Sequence, residues 1–212
     1  MSGNDLLLLI FQIIVLFFSM SVHEVFHGLV AYRLGDDTAK VMGRLSLNPF
    51  RHIEIFGSII LPLFLVLTNS PILFMWAKPV PYNPLNLKNP KTGAALIGLA
   101  GPLSNFFLAI IFGIIIRLIG AFMPGAIVLI LFFNIIVYLN ILFAVFNLVP
   151  IYPLDGSKLL FAFLPDKYHE AQRFMEQYGI FILLIFILFL FDFINPLING
   201  IFHLIVGKWA SI

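Results

Sequence analysis

The residues best placed to do chemistry are His23 and His27, four apart in His23-Glu24-Val25-Phe26-His27. On a helix, an i, i+4 pair shares one face one turn apart, so both imidazoles can turn a nitrogen toward a single zinc ion. Glu24, next to the first of them, reaches a water at such a metal without having to bind the metal, which is the placement of a general base. The 212 residues contain no cysteine. Thiol nucleophiles, disulfides and thiolate ligands are excluded, and a third ligand must be His or a carboxylate. The candidates are His52, His169, His203, Glu54, Asp192 and Asp155. Asp155 is preferred because it closes Asn147-Leu148-Val149-Pro150-Ile151-Tyr152-Pro153-Leu154-Asp155-Gly156. There the two prolines end a helix by removing backbone donors, and Gly156 permits a turn. Unwound backbone is tolerated in a membrane when it lines a wet cavity. The bland alternative is a set of hydrogen-bonded polar groups in a helix bundle, with Asp155 as a helix cap. Burying two His and a Glu in hydrocarbon without a use is costly, which weighs against it.

The elements that carry these groups belong to a membrane protein. The chain is 61% hydrophobic and only 10% charged, with a mean hydropathy of +1.08, which excludes an ordinary water-soluble globule. Twelve Lys and Arg against ten Asp and Glu leave no basic face, so nucleic acid is excluded as a partner. Apolar runs predict membrane helices over 6–32, 93–119, 126–149 and 178–194, with a shorter stretch over 196–206. No Lys or Arg precedes the first run and no small-residue cleavage site follows it, so it reads as a retained helix and not a signal peptide.

Residues 55–76 are apolar but carry Gly57 and Pro62, with Thr68, Asn69, Ser70 and Pro71 near their end, and fit either a crossing or a re-entrant dip. A crossing divides the Lys and Arg residues seven against five. A dip gathers ten, from Arg33 to Arg173, on one side; Lys208 joins them if the last short segment crosses, leaving Arg117 alone opposite. The positive-inside tendency favours the dip, with the basic face cytoplasmic and the N-terminus outside. At about 1.5 Å per residue, His23 lies roughly 15 Å beneath that face, ten residues before Arg33. Only with a dip does the helix over 126–149 bring Asp155 to the same end of the membrane. The metal hypothesis and the charge rule thus select one topology.

The chain resembles the site-2 proteases, the intramembrane zinc metalloproteases. Beside the His23 to His27 motif, the resemblance rests on Gly43-Arg44-Leu45-Ser46-Leu47-Asn48-Pro49, Trp76-Ala77-Lys78-Pro79-Val80-Pro81, Ala100-Gly101-Pro102-Leu103-Ser104-Asn105 and the run from Asn147 to Gly156. It implies an all-α polytopic membrane protein of about five to six transmembrane helices, with a small β-hairpin around Val41 to Leu47 or a re-entrant region after the first helix. It implies a single integral-membrane domain over 1–212, with a catalytic core over about 6–160 and C-terminal helices over about 170–207. By the same resemblance, one Zn2+ is held by His23, His27 and Asp155, Glu24 is the catalytic base, and Asn147 and Asn105 bind substrate or steady the oxyanion. A polar channel through Asn105 and Asn147 would admit water. The expected substrate is a transmembrane protein cleaved within or beside its membrane segment, and the expected setting is the lipid bilayer of a bacterial or archaeal cell, with the active site toward the cytoplasm. Some relatives carry a PDZ or CBS domain; here there is no room for either, so control would fall to a separate regulatory membrane protein or to the substrate. The rival reading is a zinc-binding membrane protein without peptidase activity, a transporter or an inactive scaffold. A transporter would spread ionisable residues over successive depths, and a scaffold would have no need of Glu24. Serine catalysis has no Gly-x-Ser-x-Gly setting in this sequence.

Overall fold

In hydrocarbon no water is available to the peptide groups, so a chain this apolar must close its backbone hydrogen bonds within helices. The computed structural model describes residues 3–68, 75–123 and 125–211. Its helices are α1 (Gly3–Arg33), α2 (Thr38–Val41), α3 (Leu61–Leu67), α4 (Pro90–Phe122), α5 (Ile127–Asn147), α6 (Asp155–Phe163), α7 (His169–Ile185) and α8 (Asn195–Val206). Four are long and apolar enough to cross a membrane: α1, α4, α5, and α7 continued as far as Phe189. The four long runs expected from the sequence are therefore present. The last begins at His169 because its polar first turns are helical too. A count of five or six is reached only by including α8 and the shorter apolar helix Ile55–Leu67.

The central element is α4. Asn89 caps it by accepting from Thr92 N at 3.2 Å, and Pro90 opens its first turn. It packs on α1 and α5 and takes α6 and α8 against its flanks. Gly113 lets Ile205 of α8 lie directly on its backbone, the close approach that small residues permit between membrane helices.

The path of α7 and α8 bears on the side of Lys208, which the sequence leaves conditional on whether the last short segment crosses. Both run antiparallel to α5: the ring of Phe186 lies beside Phe146, that of Phe202 beside Tyr138, and the Trp209 carbonyl accepts from Asn134 Nδ2 at 2.9 Å. They follow one another along α5, separated by the irregular turns over Phe186–Phe193. Arg117, near the end of α4, donates to Ile205 O at 2.7 Å and Leu204 O at 2.5 Å, satisfying the last carbonyls of α8. Lys208 therefore shares an end of the bundle with Arg117, opposite Arg33, and the basic residues divide ten against two among the twelve.

The β-hairpin expected around Val41 to Leu47 is also absent among the described residues, which contain no strand. Side chains take the carbonyls that a ladder would use. Arg44 donates to the carbonyls of Arg51 and Lys78, Arg51 donates to Gly43 O at 2.8 Å, and a ring nitrogen of His52 meets Ser46 O at 2.7 Å. Residues 69–74, toward the end of the segment expected to cross or dip, lie outside the described residues. On either side of them, Trp76 N donates to Gly57 O at 3.2 Å and Lys78 N to His52 O at 2.8 Å.

Candidate metal centre

His23 and His27 sit on the inner face of α1, both buried, with ring centroids 4.6 Å apart. The opposing wall is the unwound stretch after α5. That helix ends at Asn147, and Asp155 is the first residue of α6, buried against α4. Asp155 Oδ2 lies 2.9 Å from His23 Nε2 and 3.0 Å from His27 Nε2. Its other oxygen accepts from Lys158 Nζ at 2.8 Å, one helical turn on, so a single oxygen is presented to the imidazoles.

The donor set fits zinc on its own chemistry. His27 Nδ1 is 2.6 Å from the main-chain carbonyl of Ile97, and His23 Nδ1 is 2.6 Å from Asn105 Oδ1. Each contact calls for a proton on Nδ1, which in the neutral imidazoles leaves both Nε2 atoms as bare acceptors. Two acceptor nitrogens and a carboxylate oxygen then converge, with one ligand atom from each residue within 4.8 Å of the others. A metal ion reconciles three acceptors at that separation, as protonated imidazoles would in its place, and two nitrogens with one oxygen is a ligand set that zinc accepts.

Glu24 lies on the neighbouring face of α1. Its Oε2 accepts from Val80 N at 2.7 Å, and the segment carrying Val80 can approach because Gly28, one turn on, leaves no side chain between α1 and Val80 or Leu45. A cavity of about 380 Å³ opens beside it. His23, Glu24, Asn147 and Gln12 line that cavity, and its other walls are apolar side chains such as Met20, Phe143 and Phe191. Asn147 donates to Phe143 O at 3.0 Å, which uses one of its two amide hydrogens.

Asn105 joins the same polar core through His23. It is fully buried beneath His23, bonded to Asn140 and to the Ser19 carbonyl, and it is not part of the cavity wall. The remaining candidate ligands do not join the cluster: His52 is held in the loop after α2, Glu54 caps the segment that leads into α3, and His169, Asp192 and His203 are exposed. Two contributors were not anticipated. Lys158 was legible as the i+3 neighbour of Asp155, and Asn140 as one of three amides, with Asn134 and Asn147, in the otherwise apolar α5.

A buried cluster of two imidazoles and a carboxylate that could hold a metal ion, between long apolar helices and with a glutamate and a cavity at its side, is the arrangement of a membrane-embedded metallopeptidase. The comparisons agree. The model of Peptidase family M50 matches residues 122–190. The protein YwhC of Bacillus subtilis is 38% identical over 195 residues, 88% of this chain and 81% of that one. Rip2 of Mycobacterium tuberculosis is 29% identical over 89% of this chain and 68% of its own, and MJ0392 of Methanocaldococcus jannaschii 27% identical over 83% and 41%. The words zinc metalloprotease stand in the names of all three. No solved structure matches the chain. The chain belongs to peptidase family M50. It is an integral-membrane zinc metalloendopeptidase of the site-2 type.

Proposed function

We propose that His23, His27 and Asp155 hold the zinc, that Glu24 is the general base, and that the peptide bond cleaved lies within or beside a transmembrane segment of a membrane protein. The observation that carries this reading is the meeting of His23 Nε2 and His27 Nε2 on Asp155 Oδ2, at 2.9 and 3.0 Å. When bound, zinc supplies Lewis acidity toward the scissile carbonyl and toward water. The chain's own groups do the rest. With Oε2 of Glu24 held by the Val80 amide, Oε1 is free to take a proton from water and pass it to the leaving amine. The free amide hydrogen of Asn147 faces the same cavity and donates to the oxyanion, a contact worth roughly 3 kcal/mol at other single-donor sites. Asn105 acts on His23 and not on substrate, as its burial supports.

The substrate helix must unwind locally before its peptide groups are exposed, and the apolar cavity takes the unwound stretch. The return of Trp76 and Lys78 to Gly57 and His52 supports a re-entrant path for the segment between them. Ten of twelve basic residues at one end support a cytoplasmic position for that end and for the site beneath it, in one integral-membrane domain. Lys158, whose side chain is 30% exposed, marks the side from which water arrives.

The test is Glu24→Gln, purified beside the wild type and assayed on single-span membrane substrates. Zinc content stays the same while cleavage is abolished, because the ligands remain and the base is gone. Cleavage retained by the variant removes the mechanism.

A further inference from the structure

The contact of His23 Nδ1 with Asn105 is the last link of a longer chain. The main-chain carbonyl of Ile136 only accepts, so the Asn140 atom 2.9 Å from it is the NH2 group. Asn140 Oδ1 is thereby turned toward Asn105, and the Asn105 atom 3.0 Å away must again be NH2, which also points to the Ser19 carbonyl at 3.4 Å. Asn105 Oδ1 is then left facing His23. An acceptor 2.6 Å from Nδ1 fixes the proton there and leaves the Nε2 lone pair for a ligand. Both asparagines are fully buried, in helices that are otherwise almost wholly apolar. Amides in such surroundings cost free energy unless their hydrogen bonds are met.

We propose that Asn140 is a positioning residue for the metal centre: by fixing which way the Asn105 amide points, it selects the His23 tautomer that can bind zinc through Nε2. Asn140 touches neither the ligand atoms nor the cavity beside Glu24. The two imidazoles differ in this respect. His27 is set by the Ile97 carbonyl, a main-chain group that cannot turn over, whereas Asn105 is a symmetric-shaped amide that can. With the Asn140 acceptor removed, Asn105 can present its NH2 to Nδ1. The imidazole proton then moves to Nε2 and blocks the ligand position.

The inference rests on His23 being a ligand, so the test reads zinc affinity and not cleavage. Full-length protein in detergent is stripped of metal and titrated with zinc against a chromophoric chelator, with thermal midpoint and helicity recorded for each variant. Asn140→Leu, and Asn140→Ala beside it as the smaller replacement, bind zinc about 10- to 100-fold more weakly, the usual effect of losing an outer-shell partner. Two changes restore affinity. Asn140→Asp, protonated in its apolar site, keeps one donor and one acceptor. Asn105→Asp combined with Asn140→Leu places an acceptor against His23 in either orientation, so Asn140 is no longer needed. Wild-type affinity in a folded Asn140→Leu or Asn140→Ala overturns the relay. Weak binding that Asn105→Asp fails to restore also overturns it, since the loss is then one of packing. His23→Ala separates the two levels: affinity unchanged there removes the ligand assignment itself, whereas affinity lost there but kept in the Asn140 variants removes the relay alone.

Discussion

Gly101 lies directly against the metal-facing edge of His23: a methyl group at its Cα would come within 2.4 Å of Nε2, and within 2.6 Å of Cε1 of His27. Neither imidazole can retreat freely, because each Nδ1 is committed to a partner behind it. Gly101→Ala is therefore expected to cost the protein most of its zinc and its cleavage activity while leaving helix content intact. Metal analysis of the purified variant beside its circular dichroism checks this, and a folded Gly101→Ala with one zinc per chain contradicts the packing described.

Lys158 governs how Asp155 presents itself. With Oδ1 engaged by the ammonium, only Oδ2 faces the imidazoles. Lys158→Met frees Oδ1 and lets the carboxylate rotate, so zinc binding is expected to fall by roughly an order of magnitude. Lys158→Arg, which keeps a cationic donor, should lose less. Competition with a chelator distinguishes the two, and equal affinity in Lys158→Met and wild type shows the ion pair to be incidental.

The proposed ligands could be singled out in the sequence because their signal is local. A four-residue spacing puts two imidazoles on one helix face, and prolines with a glycine announce unwound backbone around Asp155. What supports the ligands was hidden, because it joins residues far apart in sequence: Asn105 lies 82 positions from His23 and Asn140 another 35 on. Helix spans followed from apolar runs, but the loop after α2 did not. There arginine side chains replace a strand ladder, and no period-two pattern can foretell that.

Asp36 ties the end of α1 to the approach to α4. It is buried, and burial alone would raise its pKa. Thr38 Oγ1, Asn83 N and Asn86 Nδ2, at 2.5, 2.8 and 2.7 Å, outweigh that and hold the carboxyl below its ordinary 3.8. A group whose folded pKa is depressed contributes stability above its unfolded pKa and loses it as pH falls through the folded value. Thermal midpoints should thus be flat in this contribution from neutral pH to about 5 and decline below about 4. Asp36→Ala should destabilise by about 1–3 kcal/mol at neutral pH, the cost of orphaned buried donors, and flatten the acid limb. An unchanged acid limb in the variant assigns that decline to other carboxyls.

The shared end of Arg117 and Lys208 makes the direction of α8 measurable. Because the chain has no cysteine, single cysteines report one position each. Lys88, exposed just before α4, and Lys208, exposed just after α8, are suitable sites. If α7 and α8 make one crossing and the basic end faces the cytoplasm, Lys208→Cys in intact cells reacts with a membrane-impermeant maleimide, whereas Lys88→Cys reacts only after the membrane is opened. The reverse pattern keeps the helix path and inverts the orientation. Labelling of both from the same side would mean that α8 crosses alone, and the pairing of Phe202 with Tyr138 and of Trp209 with Asn134 could then not hold.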